Sequence, residues 1–152
     1  MKPEDFLTRK SVVELETNSE EETFAVGKRI AESLTAGMVV ALRGTLGSGK
    51  TCLAKGIAGG LKIKENVTSP TYTIINEYDT TPPLFHIDAY RLNNDEDFEQ
   101  IGGRELIGGG GIYVIEWSER IPKSLPSDAV AVELEITGSS SRLIRVFGLE
   151  LK

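Results

Sequence analysis

The chain has 152 residues, of which 39% are hydrophobic and 26% charged, and its 17 basic and 23 acidic side chains give a formal charge of -6. A domain of this length buries roughly 70% of the surface its unfolded chain exposes, so one core suffices and a single domain over 1–152 is expected. No apolar run approaches the ~18 residues that cross a bilayer, one cysteine and one histidine cannot build a Cys/His zinc cage, and the acidic balance disfavours a direct grip on nucleic acid.

In chain order, "MKPEDFLTRK" mixes both charge signs and has no apolar core, so nothing directs it to secretion. A cytoplasmic protein is expected, and the lone Cys52 agrees with a reducing compartment. Residues 11–17 read as a strand. The helix that follows has Ser19 and Glu22 as a capping box, Phe24, Ile30, Ala31 and Leu34 on one face, and Gly37 as its end. "MVVAL" is a continuous apolar run of the kind covered on both faces. "GTLGSGKT" (44–51) follows directly, and "KTCLAKGIAGGL" supplies a helix that stops at Gly59-Gly60.

Strands are expected over 71–79 and 84–90, and the short "TTPP" between them permits only an antiparallel pair. A helix from about Asn94 to Ile107 opens with Asp95, Glu96 and Asp97, which suit the positive end of its dipole. The run "GGGG" (108–111) has no assigned role, and it leads to the strand "IYVI", which ends in "EW". The intervening helix makes strand 84–90 parallel to "IYVI". If both also run parallel to "MVVAL", Asp88 and Glu116 finish at the carboxyl edge of the sheet beside the glycine-rich loop, and "SPTYT" starts its antiparallel strand at that same edge. "DAVAVELEITG" and "SRLIRVFGLE" form a hairpin that extends the sheet. The expected architecture is a three-layer α/β fold of the P-loop NTPase type with a mixed, mostly parallel central sheet.

The loop carries the chemistry. Gly44, Gly47 and Gly49 leave space for backbone N–H groups to face phosphates, with the positive end of the next helix behind them. Thr45, Leu46 and Ser48 complete the cradle, Lys50 reaches for the β and γ phosphates, and the Thr51 hydroxyl suits magnesium. A hydrolysing site also needs a carboxylate on magnesium and a group that places water, and Asp88 and Glu116 are the two acids the topology delivers. Thr71 or Thr73 of "SPTYT" could sense a γ-phosphate, although such residues also suit an ordinary loop. His86 shares the side of Asp88 but reads as a packing residue, Trp117 either lines the pocket or packs, and Cys52 fills space as a small apolar group. Arg91 is a candidate for stabilising transferred charge, against the commoner surface arginine.

"GTLGSGKT", "SPTYT", "HIDAYRL" and "IEW", in this order and spacing, resemble the bacterial TsaE family of tRNA threonylcarbamoyladenosine biosynthesis ATPases. The resemblance runs from about Ser19 to Trp117. It implies a small protein that binds and slowly hydrolyses ATP with magnesium, acting on TsaD-type and TsaB-type partners and meeting tRNA only through them. Lys50, Thr51 and neighbouring Cys52 would then lie at the phosphates, Glu116 would join Thr51 on magnesium, and Asp88 would serve hydrolysis. Thr73 would be the switch-like threonine, and Trp117 would lie near the nucleotide. ATP is favoured over GTP because no N-K-x-D reads guanine and no D-x-x-G follows the switch region. The competing readings are a small-molecule kinase, which needs a lid that these short connections lack, and a nucleotide-gated binding module whose hydrolysis is incidental.

Overall fold

Val39, Val40, Ala41 and Leu42 are all buried, because β2 (Val39–Gly44) has a parallel strand on either side and a packed layer on each face. The computed structural model describes residues 12–65, 67 and 74–151. The remaining elements are β1 (Val12–Thr17), α1 (Glu20–Ala31), α2 (Lys50–Gly60), β3 (Ile75–Tyr78), β4 (Leu84–Asp88), α3 (Asp95–Gln100), α4 (Gly103–Ile107), β5 (Ile112–Glu116), β6 (Val130–Ile136) and β7 (Arg142–Phe147). Two 3-10 turns, at Ser118–Arg120 and Pro122–Ser124, follow β5.

The strands form one seven-stranded sheet in the order β1-β7-β6-β2-β5-β4-β3. Its centre, β6-β2-β5-β4, is parallel, and its flanks are antiparallel. Side chains alternate strictly. Val40, Leu42, Ile112, Val114 and Val132 join Ile30, Leu53 and Ile57 of α1 and α2 in one core. Val39, Ala41, Tyr113, Ile115 and Ala131 join Phe98 of α3 in the other. By the same alternation His86 shares a face with Leu84, and Glu116 with Val114, so both acquire the α2 side of the sheet.

Three expectations need correction. The α1 face that packs is Thr23, Gly27, Ile30 and Ala31, whereas Phe24 is 36% exposed. Here α1 and α2 approach so closely that a Cβ on Gly27 would stand 2.4 Å from the Leu53 carbonyl oxygen, and one on Gly56 would stand 2.2 Å from that of Phe24. No side chain fits at that crossing. Second, the helix expected over 94–107 is two helices, because Gly102 takes a left-handed φ of 81° between α3 and α4. Third, β4 ends at Asp88, and Tyr90 lies in the turn beyond it. Asn94 rather than an acid caps α3, accepting the Asp97 N–H at 2.9 Å. Part of the glycine run acquires a role as well: the Gly111 carbonyl accepts the Gly37 N–H at 2.6 Å, and its own N–H donates to the Tyr113 hydroxyl at 3.1 Å.

Candidate functional site

β2 delivers the chain to the loop and α2 receives it. Gly44, Gly47 and Gly49 have φ values of 155°, 80° and 104°, and Gly49 caps α2 with its backbone alone. A side chain at Gly44 would collide with the Leu134 carbonyl oxygen and Ser48 Oγ, each 2.6 Å from a Cβ there. Ser48 is buried, while Thr45, Leu46 and Gly47 form the exposed tip of the loop, Leu46 being 79% exposed.

Glu116 ends β5 directly opposite Asp88 at the end of β4. Its Oε1 accepts the Thr51 hydroxyl at 3.0 Å, and its Oε2 lies 2.5 Å from His86 Nε2, with both side chains almost wholly buried. His86 is therefore part of the site and not a mere packing residue. Asp88 shares their face but is more open, and its Oδ1 accepts the Tyr90 N–H at 3.0 Å. Burial pushes the Asp88 carboxyl above the usual aspartate value, with Glu116 adding to the shift and the Tyr90 hydrogen bond, His86 and Lys50 opposing it.

Lys50 is folded back onto its own loop. Nζ donates to the carbonyls of Gly44 and Thr45 and stands 3.9 Å from the centre of the Trp117 ring. Burial lowers its pKa, against the pull of Glu119, Glu116 and Asp88. Trp117 has a left-handed φ of 58° and lies against Tyr90 with ring centres 5.0 Å apart, and the Arg120 guanidinium sits over both rings.

Leu46, Gly47, Gly49, Lys50, Thr51, Cys52, Asp88, Tyr90, Glu116 and Trp117 line an open cleft of about 430 Å³. A second cleft of about 360 Å³ lies between the start of α1 and the turn 137–141, and it shares Glu20, Gly47, Gly49 and Cys52 with the first. The Cys52 thiol donates to the Glu20 carbonyl at 3.3 Å and borders both clefts. Arg91 is exposed and does not line either one. Thr71 and Thr73, with the rest of "SPTYT", lie outside the described residues, although the carbonyl of Ile74, just before β3, accepts the Asp88 N–H at 2.9 Å.

A family model described as threonylcarbamoyl adenosine biosynthesis protein TsaE matches residues 17–144. The chain belongs to the TsaE family. It is 42% identical over 130 residues to the tRNA threonylcarbamoyladenosine biosynthesis protein TsaE of Treponema pallidum, covering 86% of this chain and 96% of that one. The Bacillus subtilis protein of the same name is 40% identical over 129 residues, 84% of this chain and 80% of its own. The crystal structure of Bacillus subtilis YdiB superposes with a TM-score of 0.76 at 32% identity, covering 92% of this chain and 87% of that one.

Two parts of this TsaE-family site escape a reading by motif. Arg142, the first residue of β7, donates from Nε to the Ser48 carbonyl at 3.1 Å and from Nη2 to that of Gly47 at 3.0 Å. The signal was available, since an antiparallel strand that follows β6 must begin at the loop edge of the sheet. Ser118 is the other, fully buried and donating to the Leu42 carbonyl at 3.0 Å, so that the turn after Trp117 is tied to β2. The donor set fits magnesium: a hydroxyl and a carboxylate 3.0 Å apart offer hard oxygens on one side and leave the others to phosphate and water. Among the described residues no helix is long and apolar enough to cross a membrane.

Proposed function

We propose that the chain is a magnesium-dependent ATPase that serves tRNA threonylcarbamoyladenosine formation by acting on a TsaB–TsaD type pair. The observation that carries this reading is the meeting of Thr51, Glu116, Asp88 and Lys50 on one cleft at the start of α2. Family membership supports the pathway, and the T. pallidum and B. subtilis relatives bear that pathway in their names.

Phosphates are recognised by the backbone N–H groups of the loop and the positive end of α2. Lys50 exchanges the Gly44 and Thr45 carbonyls for phosphate oxygens, a better match for an ammonium than neutral carbonyls. Thr51 and Glu116 would hold magnesium, which would supply charge neutralisation at the phosphates. Asp88 orients the attacking water and accepts its proton on a carboxylate oxygen, and its raised pKa makes it the better base. Trp117 lies near the nucleotide, beside Lys50. The nucleoside extends around the helix start into the second cleft, between Ser19 and the turn 137–141. Thr73, outside the described residues, is read as the γ-phosphate sensor from its motif alone. The protein works in the cytoplasm, and tRNA is gripped by its partners.

ATP hydrolysis by the purified chain, alone and with the TsaB–TsaD pair, tests this, with Lys50→Ala as the blank. The expected result is weak turnover alone that rises with the pair. Robust turnover indifferent to the pair would overturn the partner-coupled reading and direct attention to small phosphate acceptors.

A further inference from the structure

β6 runs parallel to β2 with Leu134 opposite Gly44, and β7 returns from the turn with Arg142 opposite Ile136 on one side and Thr17 on the other. Arg142 therefore starts its strand beside the phosphate loop. Four of the five N–H donors of its half-buried guanidinium are engaged with backbone carbonyls. Nε and Nη2 hold those of Ser48 and Gly47, while Nη1 holds those of Gly138 at 3.2 Å and Ser141 at 2.8 Å. Among the described residues no carboxylate forms an ion pair with it.

We infer that Arg142 is a positioning residue of the phosphate loop, setting the direction of its N–H donors from the C-terminal hairpin; the inference rests on the nucleotide reading above. In a trans peptide the C=O and N–H point in opposite directions, so fixing one fixes the other. Drawing the Ser48 carbonyl toward Arg142 turns the Gly49 N–H away from the hairpin, at the start of α2. Drawing the Gly47 carbonyl the same way sets the next N–H, that of Ser48, which closes the loop on the Thr45 carbonyl at 3.1 Å.

A loop with three glycines and an exposed tip has many conformations open to it, and whatever order the protein does not impose must come out of ligand affinity. One planar fork of donors holds two successive loop carbonyls and two in the hairpin turn, a task the point charge of lysine cannot reproduce. The guanidinium charge, unneutralised by any described acid, also adds to the positive potential at the anion site of a chain whose net charge is -6.

The test uses the full-length wild type, Arg142→Gln and Arg142→Lys, with two readouts. ADP affinity by calorimetry is expected to fall about tenfold or more in Arg142→Gln and less in Arg142→Lys. Amide hydrogen exchange of the nucleotide-free chain is expected to quicken about tenfold in peptides covering 44–50, with sheet peptides unchanged. ADP affinity within twofold of wild type in Arg142→Gln, or loop exchange at the wild-type rate, overturns the inference. Exchange that quickens throughout the sheet in both variants also overturns it, since Arg142 would then be a support of the fold at large. A wild type that fails to bind ADP sinks the nucleotide reading separately, and the exchange comparison still decides whether Arg142 sets the loop.

Discussion

Asp88 and Glu116 stand in register on adjacent strands, yet the fold gives them different surroundings. Glu116 is buried with Thr51 and His86 on its two oxygens, which suits a ligand held in one orientation. Asp88 is more open and anchored by one backbone N–H, which suits a group that must meet water. Asp88→Asn is therefore expected to lower ATP turnover by about 100-fold or more while ADP still binds. Retained turnover in that variant would remove Asp88 from the hydrolytic step, whereas lost turnover with tRNA modification intact would favour an interaction module with incidental hydrolysis. The same substitution has a stability signature. Burial raises the Asp88 pKa above its unfolded value, so its stabilising contribution is complete below the unfolded pKa and is lost as pH rises through the folded one. At pH 7 the charged carboxylate costs stability, and Asp88→Asn is expected to raise Tm there. Near pH 4, about where an unperturbed aspartate is half protonated, the gain shrinks. Equal Tm increments at the two pH values would contradict the assignment of burial as the dominant cause.

At the scale of elements, the crossing of α1 over α2 fixes where the phosphate loop ends, because α2 is the loop's continuation. Two glycines make that crossing possible. Gly56→Ala drives a Cβ into the Phe24 carbonyl and is expected to cost about 1–3 kcal/mol, or a Tm drop of a few to about 10 °C. A melting temperature within a degree of wild type would show that the helices separate freely at this point. The crossing was illegible in sequence, since periodicity reports apolar side chains and here the packing face contains a residue with none. For the same reason Phe24 read as core. Gly102-Gly103 inside an otherwise helical stretch could be taken as tolerated glycines, and only the left-handed φ at Gly102 divides the helix. The sheet was far more legible: apolar runs bounded by turn residues gave "MVVAL" and "IYVI", and "TTPP" dictated the β3–β4 hairpin. Those rules brought Asp88 and Glu116 to the loop edge. The role of His86 remained hidden because it depends on which carboxylate ends the neighbouring strand, a relation that no local motif encodes, whereas the hairpin rule places Arg142 at the loop edge without naming the carbonyls it meets.

At the scale of the molecule, the question is who holds the tRNA. A protein that grips a phosphate backbone does so through unneutralised Lys and Arg, releasing counterions as it binds, and its affinity falls steeply with salt. Here acids outnumber bases 23 to 17, and several of the bases are already engaged. Arg145 spans Glu14, Glu133 and Glu135, Arg142 is spread over four loop and hairpin carbonyls, and Lys50 is held by the Gly44 and Thr45 carbonyls. The cleft that the proposed nucleotide reading uses sits at the start of α2, not along an extended basic face. The chain alone is therefore expected to show no tRNA retention in a filter-binding assay at about 10 μM protein and roughly 0.1 M salt, conditions in which even non-specific binders begin to register. Adding the TsaB–TsaD pair should bring tRNA and this chain into one retained complex. Micromolar, salt-sensitive binding of tRNA by the chain alone would contradict the charge argument and assign the RNA grip to this protein, through basic residues the acidic balance conceals.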